Sequence, residues 1–180
     1  MARTPRRLTV ALCGVALFAG LVGCGSPDSG AAPVVPGEPE QPAGAFPATV
    51  ERVVDGDTFV ASRQGRSLRV RLIGINAPES VQPDARVECY GPESARALGS
   101  LLPRGTRLMA AYQGKPEQDQ YGRELWDVWV DGRFLQAKLV SRGLVRARVY
   151  RPQARYADVL ERLGEDARQA RVGLFAACPA

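Results

Sequence analysis

Between Gly25 and Pro47 the chain places six prolines and four glycines, with no lysine or arginine. Proline has no N–H to give to a sheet ladder and breaks helices. A segment with so few apolar side chains buries too little surface to offset its ordering entropy. The stretch therefore reads as a semi-extended tether, residues 24–47. The fold has to come from residues 48–180, enough for one domain and hardly two. That part holds 21 basic and 16 acidic side chains, so the +5 net charge of the whole chain belongs to the part that folds. Such an excess suits a polyanionic ligand.

Ahead of the tether, Arg3, Arg6 and Arg7 precede an apolar run from Leu8 to Val22. The run is too short to span a bilayer comfortably, and its flanks are those of a signal peptide, residues 1–23. Leu21-Val22-Gly23-Cys24 resembles a bacterial lipoprotein box. That resemblance implies cleavage before Cys24, diacylglyceryl transfer to its thiol, and anchoring of a secreted domain at the outer face of the bacterial cell membrane. Two acyl chains hold a protein there stably, where one would not. The alternative is a plain secretory signal with a chance cysteine. Of the four cysteines, Cys13 leaves with the signal and Cys24 carries lipid. Cys89 and Cys178 remain in an oxidising compartment and are expected to pair, the alternative being two free buried thiols. Closing so long a loop stabilises by about 4 kcal/mol on the chain-entropy account.

Within residues 48–180 the first pattern is of period two. Thr49, Glu51 and Val53 alternate with Val50, Arg52 and Val54, and Asp55-Gly56-Asp57 breaks the run before Thr58-Phe59-Val60 resumes it. After a turn at Gln64-Gly65, Leu68, Val70 and Leu72 take one face and Arg69, Arg71 and Ile73 the other. Gly74 marks a bend or a close backbone approach. Gly91-Pro92-Glu93 opens a helix that ends near Leu102. Thr106–Tyr112 and Leu125–Val130 are a fourth and a fifth strand, separated by a polar loop. A second helix spans Phe134–Arg142, and a third opens at Pro152 and ends at Gly173. Strands first, one helix inserted, then helices make an α+β domain. Five short strands suit a closed OB-fold β-barrel, here with three α-helices.

The chain has no histidine, which excludes Ser-His-Asp and Cys-His catalysis and any imidazole metal ligand or proton shuttle. The remaining chemistry lies in four places. Asp55-Gly56-Asp57 alone reads as a hairpin turn. Arg71 to Glu79 runs off a strand into Asn76, Ala77 and a rigid Pro78-Glu79, and its carboxylate, amide and carbonyl oxygens suit a hard ion, although alone it also reads as a loop capped by its own side chains. Arg123 stands beside the turn glycine Gly122, and two arginines facing one anion would match phosphate geometry at every pH. From Gly132 to Ala157 seven basic residues occur without an acidic one, interleaved with Phe134, Tyr150 and Tyr156. Basic side chains contact phosphates and rings stack bases, although Phe134 and Tyr156 read better as core.

Taken together, Val54-Asp55-Gly56-Asp57-Thr58, Arg71 through Ala77-Pro78-Glu79, Tyr90-Gly91-Pro92-Glu93, Tyr121-Gly122-Arg123 and Val149-Tyr150-Arg151-Pro152 resemble the staphylococcal nuclease-like (thermonuclease) family in order and spacing. The resemblance covers about residues 48–175. It implies calcium-dependent hydrolysis of DNA and RNA, single strands preferred, by a monomer. It further implies calcium at Asp57, Asn76 and the Ala77 carbonyl. Arg71 and Arg123 would bind the phosphate and Glu79 would act as general base. Tyr121, Tyr150, Gln120 and Arg148 would line the nucleotide site. Three positions depart from the pattern: Asn76 replaces a second calcium carboxylate, Gln120 a lysine and Arg148 a tyrosine. The loss of a ligand charge at Asn76 weakens calcium binding. It leaves open a second reading, a catalytically weak or inactive surface nucleic-acid-binding module.

Overall fold

In a computed structural model that describes residues 37–80, 87–148 and 155–178, the two alternating stretches form a meander. It consists of β1 (Phe46–Asp55), β2 (Thr58–Arg63) and β3 (Arg66–Leu72). Along β3, Val70 and Leu72 are buried while Arg69 is exposed, as period-two patterning requires. The chain continues through a short β4 (Ile75–Asn76), α1 (Gly91–Leu101), β5 (Arg107–Ala111), β6 (Glu124–Val130), a two-residue β7 (Arg133–Phe134) and α2 (Leu135–Ser141). It ends with β8 (Arg146–Ala147), α3 (Ala157–Gln169) and a single turn, α4 (Leu174–Ala177).

The main sheet has the order β3-β2-β1-β5-β6-β7, and β3 also pairs in parallel with β6 through Val70–Glu124, Arg71–Leu125 and Leu72–Trp126. That pairing closes β1, β2, β3, β5 and β6 into a five-stranded barrel, which leaves the long strands no open edge. The α+β OB-type architecture with three helices of more than one turn is thus the one expected. Phe59, Val70, Leu72, Trp126 and Val128 fill the barrel, and Leu98 of α1 and Leu102 just after it add to the core. Each such side chain, fully buried, contributes about 1.5–3 kcal/mol of transfer free energy. Phe134 is fully buried and Tyr156 packs against both Phe134 and Trp129, so the reading of these two rings as core is correct. Cys89 and Cys178 form the expected disulfide, with Cα atoms 5.9 Å apart.

Four features depart from expectation. Residues 37–47 are not a free tether. Arg133 Nη2 pairs with Glu38 Oε2 at 2.7 Å, the Phe134 N–H donates to Glu38 Oε1 at 2.8 Å, and Trp129 Nε1 donates to the Pro39 carbonyl at 3.0 Å. Prolines give up N–H donors, but their carbonyls still accept, and β7 and the Trp129 indole present donors that need partners. The ordered body therefore begins ahead of residue 48, and Phe46 already packs edge-on against Trp126. The second helix starts at Leu135 because Phe134 is extended and belongs to β7. The third starts at Ala157, while Pro152 lies outside the described residues. Finally, β4 and β8 form a small second sheet that local pattern did not announce.

Candidate active site

The Asp55-Gly56-Asp57 turn joins β1 to β2, so the hairpin reading is correct as local structure, and Asp57 is also the hub of a polar cluster. It is 5% exposed. Its Oδ2 accepts the Ala77 N–H at 2.7 Å and faces Arg71 Nη2 at 3.0 Å. Its Oδ1 accepts from Thr58 Oγ1 at 2.9 Å. Arg71 reaches this point because it sits opposite Thr58 across β2 and β3. Its Nη1 donates to the Leu72 carbonyl at 2.8 Å and its Nη2 to Asn76 Oδ1 at 3.2 Å. A guanidinium held by three partners has one orientation, which the single nitrogen of a lysine could not reproduce.

Gly74 brings Asn76 and Ala77 under Asp57. Its φ of +76° lies in the left-handed region, and a Cβ there would come within 2.6 Å of Leu160 Cδ1. Beyond it, β4 pairs with β8, Asn76 lying opposite Arg146. Asn76 Nδ2 donates to the Ala77 carbonyl at 3.2 Å. Asp57, Asn76 and the Ala77 carbonyl thus form one linked group of oxygens. No cluster of three or more His, Cys, Asp or Glu side chains fit to hold a metal occurs among the described residues. The donor set is mixed: one carboxylate, one amide and one backbone carbonyl.

Arg123 enters from the end of the 113–123 loop. Its Nη1 lies 3.5 Å from Thr58 Oγ1 and its Nε donates to Asp119 Oδ2 at 2.6 Å. Asp119 Oδ1 accepts the backbone N–H groups of Tyr121 and Arg123 at 2.9 and 3.0 Å. Burial works against the Asp119 charge, but the hydrogen bonds from Arg123 and Tyr121 outweigh it and hold the carboxyl below its ordinary value. Asp119 stands two residues ahead of the Tyr121-Gly122-Arg123 motif; its spacing of four to Arg123 across a turn glycine is the signal that it orients the guanidinium.

Glu79 follows Pro78. Its N–H donates to Glu88 Oε2 at 3.1 Å, its carbonyl accepts the Glu88 N–H at 2.9 Å, and its Oε1 accepts the Ser80 N–H at 3.0 Å. Ser80 Oγ in turn donates to Asp55 Oδ1 at 2.6 Å. Burial lifts the Asp55 carboxyl above its ordinary value; the Ser80 and Gly56 hydrogen bonds oppose the rise, and the nearby Asp57 and Glu79 carboxylates add to it. Asp55, Asp57 and Glu79 therefore face one electrostatic environment. Neither Glu88 nor Ser80 carried a sequence signal of its own, since both act through bonds set by the fold.

Of the expected nucleotide-site residues, Tyr121 is 71% exposed, with Arg123 Cζ 5.4 Å from its ring centre. Gln120 is exposed beside it. Arg148 is exposed, and its N–H donates to the Gly74 carbonyl at 2.9 Å, which places it next to the Asn76 segment. Tyr150, like Cys24, lies outside the described residues.

On this OB barrel two guanidiniums meet neighbouring residues, Asp57 and Thr58, an arrangement suited to binding a phosphate. Residues 69–177 match the family described as staphylococcal nuclease homologue. The chain is 34% identical over 126 residues to a thermonuclease of Staphylococcus intermedius, covering 70% of this chain and 74% of that protein. It is 32% identical over 128 residues to the SPbeta prophage-derived endonuclease YokF of Bacillus subtilis, covering 71% of this chain and 43% of that protein. It is 30% identical over 128 residues to the endonuclease YncB of the same organism, covering 71% of this chain and 60% of that protein. The chain belongs to the staphylococcal nuclease family.

Proposed function

We propose that this protein is a calcium-dependent nuclease that hydrolyses phosphodiester bonds of DNA and RNA, with single strands preferred. The convergence of Arg71 and Arg123 on the Asp57–Thr58 pair carries this reading, through contacts of 3.0 and 3.5 Å. A phosphodiester is anionic and repels an incoming hydroxide. Two permanent cations preorganised by Asp57 and Asp119 would bind it and stabilise the charge that grows on its oxygens, usually the largest catalytic contribution. Glu79, held through its backbone by Glu88, would accept the proton of the attacking water. Tyr121, Gln120 and Arg148 would contact the nucleotide, and the family resemblance assigns Tyr150 the same role.

Asp57, Asn76 and the Ala77 carbonyl would hold the calcium ion, since an all-oxygen set of this kind matches a hard cation. When bound, that ion supplies charge neutralisation and Lewis acidity at the phosphoryl group. The full chain is assayed on single-stranded DNA with calcium, with chelator, and as Glu79→Gln. The expected result is cleavage with calcium and losses of at least about a hundredfold in the other two arms. Equal activity with chelator, or an unimpaired Glu79→Gln, overturns the reading.

Asn76, which supplies an amide where a carboxylate would bring charge, favours the second reading, a surface nucleic-acid-binding module of weak or no activity. That reading predicts salt-sensitive DNA binding without cleavage at millimolar calcium. For location we propose export and lipid attachment through Cys24, with the protein acting as a monomer. Mass spectrometry of the mature N-terminus tests the first, expecting a diacylated Cys24, and sedimentation in detergent tests the second.

A further inference from the structure

The Glu79 backbone is bound on both sides by one residue nine positions away: Glu88 accepts its N–H at 3.1 Å and donates to its carbonyl at 2.9 Å. What holds Glu88 therefore bears on Glu79. Toward its C-terminal side, the Glu88 carbonyl accepts the Gly91 N–H at 3.0 Å. Between them stand Cys89 and Tyr90. Tyr90 is the residue before α1, has a φ of +71°, and makes no side-chain capping bond. A tyrosine in the left-handed region costs on the order of 1–2 kcal/mol and persists only where its neighbours hold it. Gly91 leaves no room on the other side: a Cβ there would meet the Glu79 carbonyl oxygen and come within 2.9 Å of its carbon.

Cys89 supplies the missing anchor. Its disulfide runs to Cys178, whose N–H donates to the Leu174 carbonyl at 3.0 Å at the end of α4. Leu174 is buried and donates its own N–H to the Gly143 carbonyl at 2.8 Å. Gly143 and Gly173 pack backbone on backbone, a Cβ on Gly173 falling within 2.7 Å of the Gly143 carbonyl carbon. One short path thus joins Glu79 to α4 and to Gly143 beyond α2 through Glu88, Cys89, Cys178 and Leu174.

We infer that Glu88 and the Cys89–Cys178 disulfide are positioning elements for Glu79, so that the enzyme works at full rate only with the disulfide closed. The inference rests on the nuclease reading with Glu79 as base. Opening the bond frees Cys89 and lets Tyr90 leave its left-handed conformation, and Glu88 moves with it. A small displacement of a general base lowers turnover while leaving substrate binding to Arg71 and Arg123.

The test measures kcat and KM on single-stranded DNA for the full chain, oxidised, and for Glu88→Ala, Glu88→Gln and the double variant Cys89→Ser/Cys178→Ser. Glu88→Ala keeps the disulfide, so it reports even if the double variant folds poorly. The inference expects kcat to fall about tenfold in Glu88→Ala and in the double variant, with KM unchanged within about twofold. Glu88→Gln is expected to restore kcat, because its Oε1 still accepts from the Glu79 N–H. Dithiothreitol, which transfers two electrons and two protons to the S–S bond as it closes to its own cyclic disulfide, is expected to slow the wild type and leave the double variant unaffected. Variants that lose thermal stability but keep the wild-type kcat well below their melting temperatures overturn the inference and leave the nuclease reading intact. An oxidised wild type that does not cut DNA overturns both.

Discussion

Arg71 Nη2 lies 3.0 Å from Asp57 Oδ2, in a pair whose side chains are only 11% and 7% exposed. At such burial the guanidinium neutralises a charge that would be costly alone, and the carboxylate fixes where the guanidinium points. The pair is shared with Asn76, whose Oδ1 accepts from the same nitrogen at 3.2 Å. Arg71→Lys keeps the charge and loses this geometry. It is expected to lower kcat by about a hundredfold while retaining the fold, as measured by single-turnover cleavage beside circular dichroism. A Lys variant of wild-type rate would contradict a geometric role for Arg71.

Asn76→Asp places a second carboxylate among the oxygens proposed for calcium. Ligand charge tunes affinity, so the calcium concentration for half-maximal cleavage is expected to drop roughly tenfold. Titration of activity with calcium, and calorimetry without substrate, check this by independent readouts. An unchanged half-saturation point in both would place the cation elsewhere.

Gly56 is required for space. A Cβ on it would collide with Ser94 Oγ and approach Ala77 Cβ to 2.7 Å, driving α1 away from the Asp57 turn. Gly56→Ala is expected to destabilise the domain by about 1–3 kcal/mol in urea melts, as overpacking does. Adding Ser94→Gly should recover a large part of that loss. Failure of the second change to help would move the cost to the turn backbone.

Burial pushes the Asp127 carboxyl up to about 7 from an ordinary 3.8, against the opposing effects of the Gln113 hydrogen bond and the Arg155 charge. The folded state therefore holds this proton more tightly than the unfolded one. Below about pH 4 both states are protonated and the site costs nothing; between about pH 4 and 7 stability falls as the unfolded state ionises alone; above that the penalty is full, at most about 4 kcal/mol. Asp127→Asn is thus expected to leave the melting temperature unchanged near pH 4 and to raise it at pH 8. Equal shifts at both pH values would refute the assignment.

Much of the barrel was legible because its signals are local. Val70 and Leu72 against Arg69 and Arg71 is a period-two pattern that any strand with one buried face must carry, and Gly91-Pro92-Glu93 is a helix start whatever surrounds it. The expected site residues came from the resemblance carried by several motifs in order, each of which alone reads as a turn or loop; the structure links Asp57, Arg71, Asn76 and Ala77 by hydrogen bonds and brings Arg123 to the neighbouring Thr58. The docking of Glu38 on Arg133 was not legible, since nothing in a proline-rich stretch tells which of its carboxylates will meet a donor 95 residues away. Asp127 looked like one polar position in a strand that also carries two tryptophans, and only the closed barrel shows that its side chain is sealed from water.

By itself, then, the sequence determined the strand faces along β3 and the absence of imidazole chemistry. Each of these follows from residue identity or from neighbours within a few positions. The tertiary structure alone decided that the chain ahead of β1 belongs to the body, that Glu88 grips Glu79, and that a disulfide stands behind that grip. These depend on groups far apart in the chain that only barrel closure and the packing of α4 place together, and their energies come from desolvation and hydrogen-bond geometry that do not exist until the chain has folded.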